Sequence, residues 1–453
     1  MSDDNTLPSG ILTDELDQAV RPQDDLFRHV NGKWIARTEI PSDKARYGSF
    51  YVLAEEAEKA VRDIIVEAQS AEPGSEHRKF GDLYASFLDE ARIEALGASP
   101  LEPLLAEVDA VGSIPDLLDT LGRLERRGSS GFLQVFVDND PGNPERYRVF
   151  LEQGGIGLPD ESYFREEKFA EIRTAYVAFI ERMLRLAGRD NAAEAAARIF
   201  ALETDLAGHH WDNVKNRDSE ATYNPMPWVD ARALASVDAV ADGADFDIWK
   251  SALDVPAASF DEVVVRQPSF LSGVADLLSS DRIDSWTDWL AWQVIRSNAA
   301  YLSQDFVDAN FDFYGKTLTG TPELRARWKR GVSLVEGALG EAVGRIYVER
   351  HFPEEAKASM DVLVANLVEA YRQSITGLTW MGEQTRERAL EKLDKFTPKI
   401  GYPSKWRDYS TLEIDAADLL GNVRATNEFE FQRELGKIGK PLDRDEWFMT
   451  PQT

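Results

Sequence analysis

The chain has 453 residues, 80 acidic against 51 basic side chains, a formal net charge of −29 and no cysteine. Such acidity repels phosphate backbones, and the short cluster Arg325–Arg330 is too small to offset it, which argues against nucleic-acid partners. Without cysteine there are no disulfides, no thiol catalysis and no Cys-based zinc site.

The opening MSDDNTLPSG has neither the basic region nor the apolar core of a secretory signal, and no apolar run of about 18 residues could span a bilayer. The expectation is a cytoplasmic protein, or one exported without a recognisable signal peptide. Ser113 and Asp116 form a capping box for a helix carrying Leu117, Leu121 and Leu124, with Gly128 after it. FLQVFVDND (132–140) and RYRVFLEQ (146–153) are β-branched and aromatic runs around a Pro/Gly/Asn turn, which predicts a hairpin. Residues 168–187 set Ile172, Tyr176, Phe179, Ile180, Met183 and Leu184 on one helical face, stopped by Gly188. EVVVRQPSF (262–270) reads equally as a strand or a buried segment. Thr321 and Pro322 read as an N-cap and first helical residue, and 358–378 repeats the amphipathic pattern with Leu363, Leu367, Tyr371 and Ile375. Helices therefore dominate, no internal repeat is present, and no clean linker marks a boundary, which points to interwoven domains.

The chemistry-bearing residues do not assemble into a motif. A zinc-peptidase helix needs two histidines four apart with a glutamate after the first. None of His29, His77, His209, His210 and His351 has that spacing, and all five read as surface or capping residues. Gly154, Gly155 and Gly157 lead into Leu158-Pro159-Asp160, a tight turn rather than a nucleotide-binding loop. There is no nucleophile elbow and no phosphate loop. Acid pairs such as Asp24 and Asp25 carry no weight in so acidic a chain.

Seven stretches in order resemble the neprilysin-type zinc metallopeptidase family. They are DDLFRHVNGKWIARTEIPSDKARYGSF (24–50), GGIGLPDESYF (154–164), NRDSEATYN (216–224), AVGRIYVERHFPEEAK (342–357), LTWMGEQTRERALEKL (378–393), KIGYPSKW (399–406) and DRDEWFMTPQT (443–453). Together they run from Asp24 to Thr453. The absence of cysteine, with His29 and Asn31 near the places where secreted animal members carry cysteines, resembles the bacterial branch.

The resemblance implies two interwoven, mainly helical lobes around a cavity that admits peptides. Residues 1–50 and 396–453 would belong to a thermolysin-like catalytic lobe, and 51–395 to the covering lobe that limits substrate size. It also implies a zinc held by a His-Glu-x-x-His helix and a downstream glutamate, with a substrate-binding Asn-Ala strand before them; this chain contains none of these. The expectation is therefore the N-terminal region of a zinc metalloendopeptidase, its catalytic region missing, itself binding no zinc and inactive alone. The alternative is a non-catalytic peptide-binding or interaction protein derived from the same family. Arg46 and Phe50 match the family's carboxylate-binding arginine and pocket phenylalanine; the other reading of Arg46 is a surface salt bridge. A second arginine of some members falls at Ala54, which favours endopeptidase over dipeptidyl-carboxypeptidase behaviour. Trp34, Tyr47, Tyr402 and Trp406 read as core or interface aromatics. Without its partner, 396–453 is expected to expose apolar surface.

Overall fold

A computed structural model describes residues 12–44, 46–235 and 246–452. The opening MSDDNTLPSG, residues 11, 45 and 236–245, and the terminal Thr453 lie outside the described residues.

Helix α1 (Leu26–Arg37) is capped by Asp25, whose side chain accepts from the Arg28 amide, and it buries no residue. Helices α2 (Ser49–Ala68) and α3 (Glu76–Leu88) are amphipathic and cross closely. Gly81 of α3 makes that crossing possible, because a Cβ there would stand 2.7 Å from the Ala68 carbonyl carbon. Helix α4 (Ile114–Arg126) begins as its capping box requires: the Ser113 hydroxyl accepts from the Asp116 amide and donates to the Asp116 carboxylate.

The predicted hairpin forms. Strands β1 (Leu133–Asp140) and β2 (Asn143–Gln153) are antiparallel, with Leu133 opposite Gln153. Helices α5 (Ala170–Leu186) and α6 (Ala192–His209) follow, α5 burying Tyr176, Phe179, Ile180, Met183 and Leu184 as its periodicity requires. Strand β3 (Pro225–Pro227) comes next. The ambiguous run at 262–270 divides: its β-branched half is β4 (Glu262–Val265), and a helix starts at Pro268. The four-stranded sheet has order β1-β2-β4-β3, with β4 parallel to β2 and antiparallel to β3, so β1 is an edge. Helix α7 (Ile283–Asn298) buries Trp286, Trp289 and Trp292 against this sheet and its helices in the larger core.

One expected helix start is displaced. Thr321 and Pro322 do not open a helix; α8 (Arg327–His351) begins five residues beyond Pro322. The Thr321 amide donates back to the Gly315 carbonyl, closing the preceding helical turn. Ser42 then donates to Glu323 and Arg325 pairs with Glu58, which holds the connection extended. Helix α8 joins α2 and α3 in a second core of Val61, Ile65, Phe80, Leu83, Val335 and Leu339, closed by Tyr409 and Leu412.

Helices α9 (Glu354–Gly377) and α10 (Glu383–Asp394) pack on each other and bury no residue. Helix α11 (Leu419–Leu435), capped by Asp418, contacts α3, α4 and β1. The apolar exposure expected after residue 396 is thus only partial. Phe396, Phe448 and Met449 are exposed, whereas Tyr409, Leu412, Leu420, Val423 and Leu435 are buried, because α11 and its approach fill both cores and a small cluster of Val423 and Leu419 with Phe87 and Ile93. The larger exposed stripe lies earlier, on α9.

Candidate peptide-binding cavity

Arg46 precedes α2 by three residues and stands at the rim of a cavity of about 460 Å³. Its Nε donates to the Tyr51 hydroxyl at 2.5 Å, and its guanidinium lies 5.8 Å from the Tyr51 ring centre. No ion pair engages Arg46 among the described residues, and its one hydrogen bond among them uses Nε. The salt-bridge reading of Arg46 has no partner here. Phe50, the second residue of α2, is 84% exposed and lies outside this lining. Ala54 lines the cavity where some family members carry arginine.

The cavity wall is a network of charges. Burial pushes the Glu55 carboxyl up, but hydrogen bonds from Tyr47 and Lys44 outweigh it and leave it below its ordinary value. Lys329 also reaches Glu55 and Asp43. Across from them, Glu336 of α8 is raised to about 7 by burial and by neighbouring Glu58, against an opposing hydrogen bond from Gln452. The Gln452 Nε2 donates to the Gly340 carbonyl at 3.1 Å, which seats residues 450–452 on α8.

A second, longer depression lies at the sheet. One cavity of about 470 Å³ is bounded by the start of β1, the Gly154–Gly157 turn, His210 and Arg296. The turn is tight, as its glycines require: Gly155 has φ +87°, a region that disfavours side chains. It is held on every side. His210 Nε2 meets the Gly154 carbonyl at 2.9 Å, Trp289 donates to the Gly155 carbonyl, the Gly157 amide donates to Glu203, and the Tyr314 hydroxyl donates to the Gly157 carbonyl. Burial raises Glu203 to about 7 despite the Arg296 charge nearby. Glu125 is raised to about 8 by burial, opposed only by the Trp249 indole donating at 2.6 Å; its Oε1 has no partner.

No histidine converges with others. His29 meets the Asp17 and Val20 carbonyls, His77 and His351 lie beside Phe80 and Tyr347, and burial lowers His210, which sits on Phe270. Among the described residues no three His, Cys, Asp or Glu side chains are placed to hold a metal ion. Trp34 with Tyr47 and Tyr402 with Trp406 form stacked, half-buried pairs rather than core. The buried carboxylates Glu125, Glu203 and Glu336 carry no signal in the sequence; each is defined by what distant segments lay over it.

Residues 22–403 match the model of peptidase family M13. The chain belongs to that family. M13 peptidases are zinc-dependent metallopeptidases. Human neprilysin is 25% identical over 96% of this chain and 62% of its own length. Bovine endothelin-converting enzyme 1 is 27% identical over 98% of the chain and 61% of its own. The chain thus spans about 62% of the length of the curated M13 relatives it matches. The crystal structure of the Mycobacterium tuberculosis zinc metalloprotease Zmp1 with an inhibitor superposes with a TM-score of 0.92 at 48% identity, covering 98% of this chain and 67% of that one. PepO from Lactobacillus rhamnosis, 22% identical with a TM-score of 0.85, shares the fold. The mainly helical M13 architecture with a small mixed sheet is therefore that of this chain.

Proposed function

We propose that this chain is the N-terminal region of a zinc metalloendopeptidase that hydrolyses peptides enclosed in an internal cavity, and that it is inactive alone. The observation that carries this reading is the unpartnered apolar surface of α1 and α9. Neither helix buries a residue, yet Leu26, Phe27, Leu363, Leu367 and Tyr371 are all between 48% and 67% exposed. Amphipathic helices of 12 and 24 residues with bare apolar stripes need a covering partner. The M13 relatives are longer than this chain, and in this reading their additional polypeptide supplies both that cover and the zinc ligands. The lobe boundaries at about residues 50 and 395 belong to the same proposal, as do peptide substrates and location in the cytoplasm or export without a signal peptide.

Arg46 is the residue assigned to substrate, binding a terminal carboxylate, with Phe50 reaching the pocket once the cover is in place. The test compares this chain with a polypeptide extended by its gene's downstream sequence. The extended protein should hold one zinc and cleave short peptides, and the chain alone should do neither. Stoichiometric zinc on the chain alone, or an extended protein that binds peptides without zinc or cleavage, would sink this reading in favour of a peptide-binding protein.

A further inference from the structure

The edge of the sheet offers a binding site of its own. β1 is the outermost strand, and among the described residues no backbone hydrogen bond joins its outer edge to another element. Unpaired edges are a liability that proteins blunt with lysine, proline or a covering element. β1, LQVFVDND, has neither lysine nor proline. Helix α11 contacts β1, and its Phe431 shares the cavity walls with Val135. Cavities of about 470 and 640 Å³ lie along β1 and share Glu125, Val135 and Phe431 in their walls, so they form one groove following the strand.

The groove is acidic as well as open. Asp138 lines it without a cationic partner, while Glu125, held protonated near neutral pH by burial, keeps its buried Oε1 without a hydrogen-bond partner. Asp160 adds a second carboxylate without an ion pair, whereas Glu152 pairs with Arg266, Glu161 with Arg165, and Glu430 and Glu434 with Arg433; Arg296 and His210 are the only basic residues among the described lining. In a chain of net charge −29, such a groove attracts positive segments. A cavity wall with a free strand edge, carboxylates and apolar Val135, Val137 and Phe431 suits an extended chain with alternating basic and apolar side chains.

We propose that the β1 edge binds an extended basic peptide segment as an added strand, a substrate-holding site separate from the Arg46 cavity. The proposal rests on the peptide-processing reading for its occupant, but its test needs no catalysis. The probe is a blocked peptide of alternating lysine and valine, as long as the eight residues of β1. Two analogues carry N-methyl groups on alternate amides, one set for each edge of the peptide.

An added strand uses only one edge. The parent should therefore bind the chain, one analogue should bind about tenfold more weakly or worse, and the other should match the parent. Added salt and Asp138→Asn should weaken the parent, and amide exchange should slow at residues 133–138. No binding of the parent, equal weakening of both analogues, or protection confined to the Arg46 cavity would overturn the proposal. An extended protein that fails to cleave peptides while this pattern holds overturns the peptidase reading alone.

Discussion

Arg46 has two readings that a substitution can separate. Its Nε is spent on Tyr51, and no carboxylate of the described residues meets its other nitrogens. In the zinc-loaded extended protein, Arg46→Ala should raise KM for a free-acid peptide roughly tenfold and leave the C-terminal amide of the same peptide unchanged. If Arg46 only packs on Tyr51, both substrates shift together. Glu125 makes a second prediction. Its folded pKa of about 8 stands above the ordinary 4.5, so the folded state holds a proton that the unfolded chain releases. That contribution is full below about pH 4.5 and is lost as pH rises toward 8. Glu125→Gln should therefore flatten the fall of the thermal midpoint between pH 5 and 9, measured by calorimetry; an unchanged slope would show that Glu125 is ionised in the fold. The stretch around Arg46 can be read from the sequence because it is local. Glu125 was not: among 80 acids nothing marks the one that Trp249, 124 residues away, covers.

At the scale of elements, periodicity and caps carried most of the information. The hairpin at 132–153 and the helix at 170–186 follow from strand alternation and a 3.6-residue stripe, both properties of neighbouring residues. The displaced start of α8 shows the opposite case. Thr321 and Pro322 have the chemistry of a helix start, but Gly315, Ser42 and Glu58 claim the segment from outside it. Tertiary partners override a local signal there. The crossing of α2 and α3 supplies a stability prediction. A methyl at Gly81 would meet backbone atoms at 2.7 Å, which cannot rotate away, so Gly81→Ala should cost about 1–3 kcal/mol in a denaturant titration. Gly337→Ala in α8, where nothing lies within 4 Å, should be neutral or stabilising by up to about 1 kcal/mol. Equal effects at the two sites would mean that the helices do not approach as closely as described.

At the scale of the molecule, the absence of a linker has a physical cause. The second core is made from residues 61–84, 332–346 and 409–412, so three segments far apart in sequence share one interior. No compositional break can mark a domain whose pieces are dispersed in that way. Periodicity also shows that a helix has an apolar face but not whether anything covers it. The stripe read on 358–378 is real, yet on α9 it points to solvent. This leads to a prediction about assembly. Replacing Leu363 and Leu367 together by glutamate removes two apolar side chains that are 48% and 51% exposed in this chain. Surface changes of this kind shift stability by about 0.5 kcal/mol or less, so the thermal midpoint of the chain should hold. Its self-association in gel filtration and its binding of a hydrophobic dye should fall. In the extended protein the same pair would place two charges inside an interface, at a cost of several kcal/mol, and zinc-dependent cleavage should be lost with it. A chain that unfolds with the pair would show that α9 is already buried. An extended protein that keeps full activity would show that the stripe is not the seat of its catalytic region.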